Sequence, residues 1–385
     1  MRGVKRIFMA AGGVALVVAV SGVGSATASG LASPVVGHVY VDDNTAGTNT
    51  IAGFNRLANG TLKPMAGSPF SAGGAGTGAG VGSQGGLQTA GDGHYLLAAD
   101  AGSNQISVLR IASDGDLTPV AGSPFSSGGV QPVSIAVHDH LVYVANAGTG
   151  GSNYTGFTLN RWGRLSPLAG STVALPDGSQ PGDVLFNSTG TNLAATRVGT
   201  SLIDSFAVGA NGLLTAASGS PYAAQGPGPF GSEFRPTNPS QVFVSNAHGG
   251  ANVGTVSAFH VAANGTLKSI GRSPFPDRQT APCWVEITHN GRYLFTVNTA
   301  VPSISRYWIN QNGSLQLLGS TVFNDPTGLG PEDARLSPNG STLWVVGSGA
   351  HVVSGFTVDG GTLTELHSSP TALPTGAAPF GIVVT

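Results

Sequence analysis

Three acidic residues come directly after prolines that open apolar segments, and they are candidates for acid–base chemistry. Asp183 lies two residues after one such proline, and Glu332 and Asp333 follow another. A carboxylate can take a proton from water, and a nearby donor can stabilise the negative oxygen that forms when this water attacks a carbonyl. Arg197 or His248 could supply that donor. These five residues are the predicted catalytic set.

Each member of this set also has a simpler interpretation. Asp side chains readily bond backbone amides in turns. Arg197 could be a solvated charge at a strand end, and His248 lies in a Gly-rich loop, Asn246–Gly250. The three acids could also bind a hard cation such as Ca²⁺ through oxygen ligands. The sequence has no Asp-x-Asp-x-Asp-Gly loop, so we expect no metal and no cofactor.

A second group of residues could bind a ligand without reacting with it. Aromatic rings can stack on an apolar or sugar ligand, and small polar side chains can orient it. Cys283 could be a nucleophile with His248, although a small buried cysteine is the simpler interpretation. The predicted ligand-binding set is Ser134, Phe230, Cys283, Trp284, Asn298 and Phe380.

The composition excludes several classes of protein. The 385 residues include 60 Gly and 24 Pro, and charged residues make up 9% of the chain with a formal net charge of -2. Nucleic-acid binding needs clustered Lys and Arg, so it is not expected. A single Cys excludes a disulfide framework, and 40% apolar residues are too many for a disordered chain.

The N-terminus has the pattern of an export signal. Arg2, Lys5 and Arg6 precede an apolar segment, residues 7–20, and Ala26-Thr27-Ala28 provides a cleavage site of the A-x-A type. We therefore expect residues 1–28 to be a removed signal peptide and residues 29–385 to be secreted or associated with the cell wall. The alternative is an uncleaved membrane anchor, although a spanning helix needs about 20 apolar residues.

A tripeptide of the form Gly-x-Leu marks seven repeats. Successive copies are 48 to 55 residues apart, and each follows a β-rich segment with an aromatic residue or Leu near its centre. The copies are Gly60–Leu62, Gly115–Leu117, Gly163–Leu165, Gly212–Leu214, Gly265–Leu267, Gly313–Leu315 and Gly361–Leu363. Each repeat contains about four short strands, and no segment has a sustained helical period. Four strands repeated seven times predict an all-β fold, a seven-bladed β-propeller.

The two ends of the chain are predicted to share the first blade. The repeats begin with a second strand at His38–Val41, whereas Pro379–Val384 matches the opening strands of other repeats. The C-terminal strand should therefore complete the first blade and close the ring, which removes two open sheet edges.

Antiparallel neighbours place the start of each first strand and the end of each second strand at one mouth of the central channel. The predicted catalytic and ligand-binding residues lie at these positions, and loops on a rigid ring commonly form ligand sites. Further polar residues end second strands at this mouth: Asp42, Asp100, Asn146 and Asn246. The segment Gly73–Gly86 is interpreted as a flexible loop.

One motif resembles a known family. The segment Pro282–Asn298 and the turns Asn59–Leu62 and Asn264–Leu267 are similar to the lactonase family of seven-bladed propellers, which includes bacterial 6-phosphogluconolactonase. The resemblance implies hydrolysis of a sugar lactone or related cyclic ester at the channel mouth. Relatives commonly have Pro-Arg-His and Asn-Glu where this chain has Pro282-Cys283-Trp284 and Asn298-Thr299. We therefore do not expect a phosphorylated lactone to be the substrate.

Three hypotheses about function follow. The first is a secreted lactonase-type hydrolase, and the second is a propeller that binds an apolar or sugar ligand without catalysis. The third is a surface interaction protein that uses its outer loops. In the first two cases the partner is a small molecule, a lactone or a carbohydrate-like ligand. We expect a monomer that binds neither nucleic acid nor, after signal cleavage, a membrane.

Overall fold

The computed structural model describes residues 33–324, 327 and 330–385. The predicted signal peptide, residues 1–28, lies outside these residues. All regular structure in the described part is β-strand, arranged in seven antiparallel sheets. In that same part, no helix has the length and apolar character needed to cross a membrane.

Each sheet is one blade, in which four strands follow one another from the channel to the rim, and in six blades a short fifth strand pairs with the third strand beside the fourth. Blade 1 begins with β1 (Val35–Asp42), β2 (Thr50–Leu57), β3 (Leu62–Pro64) and β4 (Phe70–Ser71). Blade 2 contains β5 (Leu87–Ala90), β6 (Tyr95–Asp100), β7 (Gln105–Ile111), β8 (Leu117–Pro119) and β9 (Phe125–Ser126). Blade 3 contains β10 (Pro132–His138), β11 (Leu141–Asn146), β12 (Asn153–Leu159), β13 (Leu165–Pro167) and β14 (Val173–Ala174).

The next two blades repeat this plan. Blade 4 contains β15 (Pro181–Phe186), β16 (Asn192–Arg197), β17 (Leu202–Val208), β18 (Leu214–Ala216) and β19 (Tyr222–Ala223). Blade 5 contains β20 (Pro229–Arg235), β21 (Asn238–Asn246), β22 (Thr255–Val261), β23 (Leu267–Ser269) and β24 (Phe275–Pro276).

The last blades complete the propeller. Blade 6 has four strands, β25 (Pro282–Ile287), β26 (Tyr293–Asn298), β27 (Ser303–Ile309) and β28 (Leu315–Val322). Blade 7 contains β29 (Pro331–Leu336), β30 (Thr342–Gly347), β31 (Val352–Asp359), β32 (Thr362–Glu365) and β33 (Thr371–Ala372). The seven-bladed, all-β architecture predicted from the repeats is confirmed.

The first blade is built from both ends of the chain. The C-terminal β34 (Ile382–Val384) pairs antiparallel with β1, with Val39 opposite Val384 and Val41 opposite Ile382. These four side chains are buried in one apolar cluster. The apolar core lies between neighbouring blades, which cover both faces of each sheet. Strands that are buried on both faces have continuous apolar segments.

Neighbouring inner strands belong to different sheets, and side chains form hydrogen bonds across the gap between them. In five places a side-chain oxygen on one side of the gap accepts the N–H of the next inner strand. The pairs are Ser134–Val184 at 3.1 Å, Asp183–Ser232 at 2.9 Å, Gln84–Val285 at 2.9 Å, Glu286–Leu336 at 2.8 Å and Asp333–Ile382 at 3.3 Å. Buried amides without a partner are costly, so these side chains stabilise the ring.

Candidate functional site at the channel mouth

The segment between blades 1 and 2 crosses the channel, which was not predicted. Ser83 donates its hydroxyl to the Val133 carbonyl at 2.7 Å, and the Gln84 backbone N–H donates to Gly182 at 2.8 Å. The Gln84 side-chain amide donates to Ser232 and to Val285, at 3.0 and 3.2 Å. The sequence analysis interprets Gly73–Gly86 as a flexible loop, but its C-terminal end is fixed to four blades.

Glycine on a facing strand makes this crossing sterically feasible. A Cβ atom at Gly231 would collide with Oε1 of Gln84 and with the backbone of blade 6. On the other side, the indole N–H of Trp284 donates to the Ser83 carbonyl at 2.7 Å. The crossing segment therefore fills the centre of the mouth and leaves a cavity on either side.

The first cavity, which we call the Glu332 cavity, lies beside blades 6 and 7. It has a volume of about 310 Å³, and Gly80 lies on its wall. Its chemistry-bearing residues are Thr299, Glu332, Ser348 and His351. None of its lining residues is Lys or Arg.

Glu332 combines burial with an unused acceptor atom. Burial raises the pKa of its carboxyl group to about 7; a hydrogen bond with Ser348 opposes this shift, and the charge of Asp333 adds to it. Its Oε2 atom is buried and has no hydrogen-bond partner among the described residues. A carboxyl group with a pKa near neutrality and a free oxygen can accept a proton from water.

His351 can donate a hydrogen bond to a ligand in this cavity, whereas the hydroxyl of Ser348 is already bonded to Glu332. His351 lies in the turn between β30 and β31, with a positive φ of 54°, and Ser348 precedes it in the same turn. The hydroxyl of Thr299 is already engaged, because it donates to the Pro331 carbonyl at 3.2 Å. An imidazole N–H is a suitable donor to a developing oxyanion.

The other two predicted acids belong to the channel wall. Asp183 accepts the hydroxyl of Ser134 at 3.2 Å, and it accepts the backbone N–H and the hydroxyl of Ser232 at 2.9 and 2.7 Å. Burial raises the pKa of Asp183 to about 7 and that of Asp333 to about 6. Asp333 follows Glu332 directly, but its carboxylate accepts backbone N–H groups from Ala334 and Ile382.

Arg197 has its charge compensated within its own blade. Its Nε and a terminal nitrogen contact the two oxygens of Asp204 at 2.5 and 2.6 Å, and Tyr154 donates to the same carboxylate at 2.8 Å. The pair is buried, with side-chain exposures of 11% and 3%. The prediction that Arg197 acts with one of the three acids is not supported by this geometry, since a bidentate pair uses the guanidinium fork.

The position of Arg197 is a recurrent structural one. In several blades the last residue of the second strand bonds to the residue seven positions later on the third strand. Examples are Asp100–Ser107 at 2.6 Å, Asn146–Asn153 at 2.8 Å, Arg197–Asp204 and Asn298–Ser305 at 2.9 Å. Asn246, which bonds to Thr255 and Ser257, and the buried Asp42 also lie at strand ends. These side chains, including the predicted ligand-binding Asn298, bind the protein itself.

The second cavity, which we call the His248 cavity, lies on the far side of the crossing segment. It has a volume of about 340 Å³ and is lined by Val81 and Gly82 of that segment and by residues of blades 3 to 5. His248 and Phe230 are among them, so the structure brings these two predicted residues together. It does not place His248 in the lining of the Glu332 cavity.

The remaining predicted ligand-binding residues are buried. Trp284 has 2% exposure, Cys283 6% and Phe380 0%, and Ser134 is wholly enclosed. The Trp284 and Phe230 rings meet edge to face, with centroids 5.2 Å apart. Burial raises the pKa of the Cys283 thiol to about 12, which does not suit a nucleophile. Trp284 does lie on the inner strand of its blade, where its indole holds the crossing segment.

Ser348, His351 and the side chain of Gln84 were not predicted from the sequence. The first two directly follow the strand Thr342–Gly347, on the face already chosen for the site, so extending the search into that turn would have found them. Among the described residues, no group of three His, Cys, Asp or Glu side chains is arranged to hold a metal ion.

Comparison with known proteins agrees with this architecture. Residues 233–383 match the sequence model of the family described as Lactonase, 7-bladed beta-propeller. The chain resembles the lactonase family, as predicted. The matched residues run from blade 5 to β34 and include Glu332, Ser348 and His351. No curated protein is significantly similar in sequence.

Solved structures share the fold at low sequence identity. A protein of Bacteroides uniformis, provisionally assigned as a 6-phosphogluconolactonase, is 19% identical with a TM-score of 0.70, covering 91% of this chain and 99% of its own. The periplasmic gluconolactonase of Pseudomonas aeruginosa is 16% identical with a TM-score of 0.70 and the same coverage. A hypothetical selenium-binding protein of Sulfolobus tokodaii is 9% identical with a TM-score of 0.64, covering 92% of this chain and 94% of its own. Such likeness shows the fold, whereas function depends on the site.

Proposed function

We propose that this protein hydrolyses an uncharged lactone and that Glu332 is its general base. The observation that carries the proposal is the free, buried Oε2 atom of a carboxyl group whose pKa is about 7, in a cavity large enough for a small ring. The resemblance to the lactonase family and the fold shared with a gluconolactonase support the type of substrate.

The reaction follows from the groups in the cavity. Ionised Glu332 takes a proton from a water molecule as the water oxygen adds to the lactone carbonyl, and the carbonyl oxygen becomes an oxyanion. The imidazole of His351 donates a hydrogen bond to that oxyanion. The ring C–O bond then breaks, and protonated Glu332 returns its proton to the leaving alkoxide. The product is the open hydroxy acid.

The charge of the cavity argues for an uncharged substrate. A phosphoryl group carries close to two negative charges at neutral pH. The Glu332 cavity has no Lys or Arg in its lining, and Arg197 is paired with Asp204. A phosphorylated lactone would therefore lose its solvation beside a carboxylate without gaining a cationic partner.

The test compares two substrates and two matched variants. Initial rates with glucono-1,5-lactone and 6-phosphogluconolactone, corrected for spontaneous hydrolysis, should show activity on the first substrate alone. Glu332→Gln should lower kcat/KM by about 10²–10⁴-fold. Glu365→Gln makes the same change on the outer strand of blade 7 and should leave it unchanged. Full activity of folded Glu332→Gln would refute the assignment.

Export is a separate part of the proposal. The basic residues, apolar segment and A-x-A site of residues 1–28 support cleavage and secretion of residues 29–385. Mass spectrometry of the N-terminus recovered from culture medium should identify Ser29 as the first residue. An intact N-terminus in the membrane fraction would favour the anchored alternative.

A further inference from the structure

The His248 cavity has a composition different from that of the Glu332 cavity. Its lining contains no Asp, Glu, Lys or Arg. Val81, Val133, Val198 and Phe230 supply an apolar floor, and the polar groups are the side chains of Gln131, Gln180 and His248. A pocket that has an apolar floor and a few neutral polar groups suits an uncharged ligand that has both apolar faces and hydrogen-bonding edges.

The two glutamines occupy a position where glutamine is not required for folding. Each directly precedes the proline that opens an inner strand, and each has a positive φ, 57° for Gln131 and 46° for Gln180. The residue at this position is Gly228, Ala281, Gly330 or Ala378 in four other blades. Positive φ is strained for a side chain such as Gln and costs nothing for Gly. Gln131 and Gln180 share the positive φ with Gly228 and Ala281, and of these four residues only the two glutamines line the cavity.

The histidine is also placed by a glycine. A Cβ atom at Gly228 would collide with the imidazole of His248, so glycine there lets the ring lie against the backbone. Neither this imidazole nor the side-chain amides of Gln131 and Gln180 make a hydrogen bond to any residue that the structure describes. Gln180 and His248 are exposed and Gln131 is half-buried, so these three side chains around one cavity are available to bond a ligand.

We propose that the His248 cavity binds a neutral saccharide unit, at a site distinct from the Glu332 cavity. The amides and the imidazole bond the sugar hydroxyls, and the valines and Phe230 contact its C–H faces. Because no Asp, Glu, Lys or Arg lines the cavity, it offers no permanently charged group to a charged sugar. The segment Gly80–Gly82 contributes to both cavities and separates the two sites.

Binding can be tested with sugars that contain no lactone. Titration calorimetry and saturation-transfer NMR with the methyl glycosides of glucose, galactose and mannose should show binding of at least one of them. Replacing both glutamines, Gln131→Ala with Gln180→Ala, should weaken that binding by about tenfold or more, because two hydrogen bonds are lost. Gln316→Ala, on the exposed outer strand of blade 6, is the matched control and should bind as the parent does.

Two further results keep this proposal separate from the proposed hydrolysis. Glu332→Gln should retain saccharide binding although it loses lactone hydrolysis; loss of both would mean that the sugar occupies the Glu332 cavity instead. The proposal is overturned if folded protein binds none of the three glycosides at tens of millimolar. Unchanged affinity in the double glutamine variant, with an unchanged melting temperature, would overturn it equally.

Discussion

The channel wall and the Glu332 cavity contain carboxyl groups with similarly raised pKa values but opposite relations to their surroundings. Asp183, on the wall, accepts hydrogen bonds from two hydroxyls and a backbone amide, whereas the Oε2 atom of Glu332 accepts none from the described residues. Burial raises the pKa of each to about 7. A perturbed pKa therefore does not by itself distinguish a structural acid from a catalytic one, and the free acceptor atom of Glu332 matters because this residue lines a cavity.

Arg197 extends the comparison to the strand-end position, and its removal should have the largest effect on stability. Arg197→Ala leaves the carboxylate of Asp204 buried without its cation, so we expect the free energy of unfolding to fall by about 3–5 kcal/mol. Lactone turnover by the remaining folded protein should stay within about twofold of the parent, since the guanidinium does not line the Glu332 cavity. Urea denaturation and initial rates, measured on the same samples, check both statements.

A double replacement sharpens that test. Replacing both partners, Arg197→Asn with Asp204→Asn, should recover part of the lost stability. The two amides can form the hydrogen bond that Asn146 and Asn153 form at the same position of blade 3. Turnover falling by orders of magnitude in folded Arg197→Ala would instead restore the guanidinium to the catalytic set.

The pH dependence of activity should distinguish the Glu332 cavity from the channel wall. The general base must be ionised, so a Glu332 pKa of about 7 predicts that kcat/KM falls about tenfold for each pH unit below 7 and is about 100-fold below its plateau at pH 5. Asp183→Asn should leave this profile in place, because its carboxyl group is bonded to Ser134 and Ser232 and does not line the Glu332 cavity. A profile that is flat from pH 5 to pH 8 would contradict the role given to Glu332.

Replacing Asp183 should affect stability rather than chemistry. Asp183→Ala leaves the N–H and the hydroxyl of Ser232 without their acceptor, and we expect a loss of about 1–3 kcal/mol. Asp183→Asn keeps a carbonyl oxygen at the same place and should retain most of the stability at pH 8, where the native group is ionised against its burial. Chemical denaturation of the two variants at pH 8 provides the comparison; equal losses would argue against the hydrogen bonds as the cause.

Raised carboxyl pKa values also make stability depend on pH. The folded state holds protons on Asp183 up to about pH 7 and on Asp100 up to about pH 6, whereas unfolded Asp releases them near pH 4. Stability from these groups is complete below about pH 4 and is lost as pH rises through 7. The melting temperature should therefore be higher at pH 5 than at pH 8, and the difference should be smaller in Asp183→Asn. A melting temperature that rises from pH 5 to pH 8 would contradict this sign.

The fold could be predicted from the sequence because the blades are periodic and independent. Gly60, Gly115 and the later copies mark the same turn seven times, so each strand is supported by six equivalent ones. The antiparallel order of the strands also predicted which strand ends lie at the channel mouth. Separating catalytic from structural residues needed contacts that no periodicity encodes: the strand-end position looks the same in sequence whether Asn146 or Arg197 occupies it, and only the partner seven residues later shows its role.

The crossing segment could not be predicted, for a related physical reason. A Gly-rich, uncharged stretch such as Gly73–Gly86 is typical of a flexible loop when read by composition alone. What fixes it is the combination of Gln84 with the space left by Gly231, and these two residues are 147 positions apart in the chain. Nothing in the local sequence pattern links them.

Gln84 offers the test with the smallest expected effect, because its amide touches both the wall and the segment between the cavities. Gln84→Ala removes the acceptor of the Val285 N–H and two donated hydrogen bonds, while the backbone N–H of residue 84 still bonds to Gly182. We expect a loss of about 1–2 kcal/mol, since the buried N–H of Val285 is left without a partner. Gln84→Glu keeps the acceptor and loses the donors, so its melting temperature at pH 5 should lie between those of the parent and of Gln84→Ala.

If the segment positions both cavities, Gln84→Ala should also raise KM for the lactone with little change in kcat. Unaltered KM together with unaltered stability would show that the fixed end of the segment contributes neither to lactone binding nor to the stability of the fold.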